Sequence, residues 1–353
     1  MLTPMPTAAP ARGSRLRSTR VAAVVLTVLV SLLLAGCHSD KKSAASASKP
    51  QSQPVQGGKT LAAVWPLTGE PVNGSTPGRP VLVTKIDNSS ASRPQVGLKH
   101  ADLITEELVE GGITRLAVFY YQSLPPVAGP VRSMRASDIG IVKPAHAVIV
   151  ASGAAPPTLA RLRYNHITFF GGGGPGYYRD GSRIAPHNLM VRMPELAKSV
   201  RKKAIVPASY LPWGKESDFT STTPATHLDA VFSRGSTTVW QFRGGKYYNT
   251  NSNAAQGDRF NPDSVLVLRV REGDAGYLDP AGNHVPETLY YGSGPALLFH
   301  NGKVERGTWT KKSRETPVRL TGAKGAVMKV PAGHVWIELL PNNHSGGRLV
   351  IRR

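Results

Sequence analysis

Two arginines three positions apart, Arg132 and Arg135, follow the turn-forming pair Gly129-Pro130. Guanidinium groups this close can hold a carboxylate or phosphate through paired, charge-assisted hydrogen bonds. A second loop carries His187 and Asn188 directly after Pro186. It offers a ring nitrogen able to move a proton and an amide able to orient a ligand. With Arg93 and Arg183 these residues form a candidate anion pocket, in which Arg132, Arg135, His187 and Asn188 should share a partly accessible concave surface. The pocket requires Glu106 and Glu110 to take up Arg115 as a structural ion pair, leaving Arg132 and Arg135 with free charge. The competing reading pairs all these arginines with Asp102, Glu106, Glu110, Asp138 and Asp180, since charge networks also exist without a ligand.

Asp102, Glu106 and Glu110 recur at a spacing of four, which places them on one side of either a helix or a strand. Carboxylates of this kind, paired across an open cleft, perform glycoside chemistry. Ser152, His187 and Asp180 supply the residue types of a hydrolytic triad, but no Gly-x-Ser-x-Gly turn surrounds Ser152. The run Gly171 to Gly174 lacks the Lys-[Ser/Thr] of a phosphate loop. Histidines 227, 284, 300, 334 and 344 have no ligand spacing, so neither a metal nor a cofactor is expected.

The elements that must position these groups differ along the chain. Pro80 to Ile86 reads as a buried strand stopped by Asp87-Asn88-Ser89-Ser90, and His146 to Val150 as another. Pro156-Pro157 suits a first helical turn, which predicts a short helix over Thr158 to Arg163. Gly111-Gly112 between two β-capable runs suggests a two-residue hairpin turn, with Leu108 facing Arg115 and Glu110 facing Ile113. From Thr237 onward, short β-rich runs alternate with turns: Thr238 to Phe242, Ser264 to Val270, Ala296 to Phe299, Lys303 to Trp309, Val327 to Val330 and His334 to Leu340. Asn301-Gly302 is the strongest hairpin signal in the chain. The expected fold class is α+β: an N-terminal mixed α/β domain at 61–200, a connection at 201–236, and a small antiparallel β-rich domain at 237–353.

Residues 1–36 read as a lipoprotein signal peptide. Arg12, Arg15, Arg17 and Arg20 precede an apolar run, Val21 to Leu33, that is shorter than the roughly 20 residues a permanent span needs. It ends in Leu34-Ala35-Gly36-Cys37, a lipobox pattern whose cysteine would carry diacylglycerol and palmitate. Cys37 is the only cysteine, which leaves no thiol for a disulfide, a nucleophile or a zinc site. Residues 37–60 are small and polar, the composition of a lipidated flexible tether. Removing the four arginines of residues 1–36 from the formal +21 leaves +17. On the outer face of the cytoplasmic membrane, that charge favours acidic headgroups and anionic wall polymers over nucleic acid.

Several stretches resemble the YerB-like lipoproteins, a domain of unknown function with N-terminal and C-terminal parts. They are Arg93 to Leu98 with Ala101-Asp102, Val109 to Arg115, Gly129 to Arg135, Arg179-Asp180 leading to Ala185 to Leu189, Gly307 to Trp309, and Val335 to Glu338. Thr105 departs from the aromatic residue that the family places before Glu106. The resemblance implies a two-part domain on an anchored lipoprotein and carries no reaction with it. Together these readings lead to an extracytoplasmic, membrane-anchored, non-enzymatic binding or adapter protein for a cell-envelope partner, either a wall-synthesis protein or an anionic polymer. The alternative is an envelope glycan hydrolase or transferase using Asp102, Glu106 and Glu110. Solute capture for a transporter would need two similar α/β lobes, which the β-rich second half does not offer.

Overall fold

The computed structural model describes residues 63–342 and 346–353, with the Lys324 side chain left aside. The signal-peptide, Cys37 and tether readings therefore lie outside the described residues. Fifteen strands carry the architecture: β1 (Leu82–Asp87), β2 (Leu103–Leu108), β3 (Thr114–Tyr120), β4 (Val148–Val150), β5 (Phe169–Phe170), β6 (His227–Val231), β7 (Thr237–Arg243), β8 (Lys246–Asn249), β9 (Ser264–Leu278), β10 (His284–Leu289), β11 (Gly292–His300), β12 (Lys303–Lys311), β13 (Arg319–Thr321), β14 (Val335–Pro341) and β15 (Arg348–Arg352). Three short helices accompany them: α1 (Asp138–Val142), α2 (Pro156–Tyr164) and α3 (Met193–Lys198). The fold is β-rich and of the α+β class.

The central sheet runs in the order β13-β12-β11-β9-β14-β2-β3-β1-β4-β5, with β10 paired to β9 beside this path. The sequence on either side of 201–236 thus contributes to one sheet. β14 is parallel to both β9 and β2, so the antiparallel expectation for the second half fails at its central strand. Val335-Trp336-Ile337 and Leu339-Leu340 are apolar almost without a break, which suits a strand covered on both faces. β1 is parallel to β4 and antiparallel to β3, which is antiparallel to β2. The carboxyl ends of β1, β2, β4, β9 and β14 therefore lie on one edge.

Alternation along these strands builds two cores. One face gathers Val83, Phe119, Ile141, Leu162, Leu268 and Ile337 beneath α1 and α2. The other gathers Ile86, Val118, Trp240, Val267 and Trp336 beneath a second sheet of order β8-β7-β6-β15. α2 starts at the two prolines, as their fixed φ dictates. His300 pairs with Lys303 across Asn301-Gly302, both at positive φ (47° and 69°), as the hairpin signal required. A Cβ on Gly302 would stand 2.9 Å from the Phe242 ring, so the tight turn also lets the second sheet approach.

The β2–β3 turn differs from the two-residue form. Val109 N–H bonds to Ile113 O at 2.9 Å, closing a loop of three residues, Glu110 to Gly112. Leu108 then pairs with Thr114, Glu107 with Arg115 and Glu106 with Leu116. A one-residue change of register moves a side chain to the opposite face, and Arg115 therefore shares a face with Glu107 and not with Glu106.

Candidate functional site

Charged side chains concentrate where β1, β2 and β4 end, the edge of a sheet with parallel strands at which ligands commonly bind. Residues 130–132 run beside β1: Asp87 N–H donates to Pro130 O (2.9 Å) and Arg132 N–H to Lys85 O (2.9 Å). On their far side, Val131 N–H donates to Leu189 O (2.7 Å) and Ser152 N–H to Arg132 O (3.0 Å). Gly129 at φ 151° allows this approach, because a Cβ there would meet the Met190 sulfur at 2.8 Å. The peptide bonds before Pro94, Pro130 and Pro186 are cis.

Asp87 is the centre of the cluster. Its Oδ1 accepts Ser89 N–H (2.9 Å), while Oδ2 lies 2.6 Å from His187 Nδ1 and 3.6 Å from Arg132 Nε. Burial alone would raise this carboxyl. The Ser89 amide, His187 and Arg132 outweigh it and hold Asp87 below the usual carboxylate range. His187 and Arg132 keep 24% and 22% of their side-chain surface exposed, and Arg132 Nη1 is buried without an acceptor. His187 Nε2 has no partner among the described residues, so the ring is fixed at one nitrogen and open at the other.

Arg135 has a different fate. Its Nε donates to Glu110 Oε2 at 2.7 Å, its Nη2 bonds Glu110 Oε1, and its Nη1 donates to Met134 O at 2.7 Å. The free charge expected on Arg135 is consumed, because the three-residue turn swings Glu110 toward it. Arg115 is fully buried, with Nη1 donating to Ser133 O (3.0 Å), Nη2 at 3.6 Å from Glu110, and Nε unpartnered. Burial and the neighbouring Arg135 pull it down to about 10, against the attraction of Glu110. Glu110 stays below the usual range despite its burial, held by Arg135 and Arg115. Glu106 makes no ion pair with Arg115, contrary to expectation, because it lies on the other face.

The remaining candidates separate. Asn188 is buried and accepts from Arg179 Nη1 at 2.6 Å. Arg183 binds Asp180 at 2.9 Å and the carbonyl of Pro94 at 2.7 Å, and Arg93 donates to Asn253 Oδ1 at 2.5 Å. Asp180 thus serves Arg183 and Ser182 and not His187, and Ser152 Oγ lies 3.1 Å from Ser133 Oγ. The acidic stripe also breaks up. Asp102 is buried under the amides of Tyr121 (2.5 Å) and Gln122 (3.2 Å) and pushed up to about 6 by burial. Glu106 is fully buried and Glu110 sits in the turn.

Glu106 belongs to an arrangement that spacing does not reveal. It pairs in register with Glu338 of β14. Thr238 Oγ1 donates to its carboxylate at 2.9–3.0 Å and Asn88 Nδ2 at 2.9 Å, while Trp240 Nε1 donates to Glu338 Oε1 at 2.6 Å. Burial raises both acids, and the proximity of Glu106 raises Glu338 further. Asn88, Thr114 and Thr238 also line a polar cleft of about 150 Å³. In the sequence alone Asp87 reads as a strand stop, and Glu338 carries no chemical signal of its own. Lys85, a charge inside the apolar run from Val81 to Ile86, was the available signal that this strand end is special.

Two family models span most of the described chain. The N-terminal domain of the "Protein of unknown function (DUF3048)" family matches residues 67–206, and its C-terminal domain matches 228–337. The chain belongs to the DUF3048 family. Among DUF3048 relatives, "Putative lipoprotein YerB" of Bacillus subtilis is 30% identical over 142 residues, which span 39% of this chain and 43% of the relative. The match thus covers less than half of that relative's length. The crystal structure of Bacillus subtilis YerB shares the fold, with a TM-score of 0.68 at 19% identity over 82% of this chain and 100% of that one. The Asp87 cluster draws on three of the stretches that carry the family resemblance, those holding Glu110 and Arg115, Arg132 and Arg135, and His187.

Proposed function

We propose that this DUF3048 protein is a lipid-anchored extracytoplasmic binding protein, and that the cluster at the carboxyl end of β1 takes an anionic group of an envelope ligand. The relative's name supports the anchoring, and the Leu34 to Cys37 pattern supplies the lipidation site. A wall-synthesis protein or an anionic wall polymer fits a mature chain of formal charge +17. The observation that carries the site is Arg132 Nη1, a buried donor with no acceptor among the described residues, beside a carboxylate already shared with His187. Arg135 and Arg115 are taken up by Glu110, whereas Arg132 shares Asp87 with His187, so a phosphate or carboxylate would supply the acceptor that Arg132 lacks.

The test is titration of the full chain with inorganic phosphate and with citrate, followed by the ¹⁵N shifts of the His187 ring. Saturable binding that moves Nε2, and that Arg132→Ala weakens at least tenfold, is the expected result. Unchanged His187 signals at saturating anion would refute the site.

A further inference from the structure

A groove of about 680 Å³ lies between the central sheet and β15, and none of its residues belongs to the Asp87 cluster. β15 is the edge strand of the second sheet, paired on one side to β6. The floor is apolar: Leu297 is buried, and Leu349 and Ile351 are half-buried extensions of the core beneath the second sheet. Around it stand Arg269, Arg306 and Arg348. Arg269 Nη2 donates to the carbonyls of Pro341 (2.8 Å) and Gly347 (2.7 Å), contacts that fix the guanidinium without neutralising it. Arg306 and Arg348 are exposed and make no ion pair among the described residues. The nearest acid on β6, Asp229, is held by Arg352 and His227 at 2.6 Å and 2.8 Å. Among the described residues, no acidic side chain lines the groove.

From this juxtaposition we infer that the groove is a binding site for an anionic lipid of the membrane, with its phosphate between Arg306 and Arg348 and part of one acyl chain on Leu297, Leu349 and Ile351. Two requirements meet here. Three guanidiniums without a carboxylate call for an anion, and an apolar floor next to them calls for hydrocarbon, so the complementary molecule carries both. A water-soluble anion would leave the floor wet. A neutral lipid would leave the arginines without a partner. The volume falls in the range of roughly 300–1,000 Å³ typical of small-molecule sites, enough for a headgroup and a segment of chain.

The test uses the full lipidated chain in vesicles containing a trace of phosphatidylglycerol with a diazirine on its acyl chain, compared with phosphatidylcholine bearing the same probe. Photolysis should label peptides holding Leu297 and Leu349 to Ile351 at least fivefold more with the anionic probe. Arg306→Gln with Arg348→Gln, both exposed positions, should reduce that labelling by about the same factor while Arg132→Ala leaves it unchanged. Equal labelling by the two headgroups, or label scattered over the surface, overturns the proposal. Full displacement by soluble glycerol phosphate overturns it too, showing that the headgroup alone is the ligand. So does displacement by an acidic peptide at equal charge concentration, which would make the β15 edge a peptide site.

Discussion

Glu106 and Glu107 are neighbours in β2, yet they face opposite sides of the central sheet and meet opposite solutions to the burial of charge. On the helical side, Glu107 and Asp138 each lie 2.7 Å from the Lys85 ammonium, and all three side chains are fully buried. On the other side, Glu106 meets Glu338 with no cation among the described residues, and hydroxyl, amide and indole donors take its place. Asp138 is raised by burial even beside Lys85, and Glu338 lies well above the usual carboxylate range. The difference teaches that neutral donors can organise a buried carboxyl pair when a proton stands in for the missing counter-ion, whereas Lys85 supplies a fixed charge that pulls α1 and β2 onto β1.

Removing the fixed charge should have the largest effect. Lys85→Met leaves two carboxyls in an apolar core, and urea unfolding should show a loss of about 3–5 kcal/mol. A loss below about 1 kcal/mol would mean that the two faces are not different in kind.

Glu338→Gln removes one acid from the other face, and the sign of its effect depends on pH. Because the folded-state pKa lies above the unfolded one, the folded protein binds the extra proton, and stability falls as pH rises from the ordinary carboxylate range toward the folded value. The variant should flatten that decline and be more stable than the parent at pH 8 by about 1–3 kcal/mol, the size of one poorly satisfied buried polar group. Identical pH profiles for parent and variant would remove Glu338 as the proton-holding group.

The smallest expected change comes from Thr238→Val, which deletes the hydroxyl donor to Glu106 without changing side-chain shape. A loss of about 1 kcal/mol is expected, greater at pH 8 than at pH 5, because the donor favours the charged form. Thermal unfolding at the two values checks it, and an equal loss at both would mean that Glu106 stays protonated throughout.

Much of the fold was legible in short windows. The Asn301-Gly302 hairpin, the strand over Leu82–Asp87 and the helix beginning at Pro156 each depend on local φ preferences or on one uninterrupted apolar run. The motif stretches also named most of the charged residues that collect at the sheet edge. What failed was pairing. Gly111-Gly112 supports either a two-residue or a three-residue turn, and the choice between them decides whether Arg115 meets Glu106 or Glu107.

By itself, then, the sequence determined the family, the strongly basic charge and the elements whose signals lie within about ten residues of one another. Tertiary structure alone decided that β14 inserts between β9 and β2, which brings Glu338 to Glu106, and that His187 reaches Asp87 across 100 positions. The reason is physical. Local backbone preference is set by each residue and its neighbours, whereas strand order and register are set by the sum of burial over two sheet faces, and that sum exists only when the whole chain has packed.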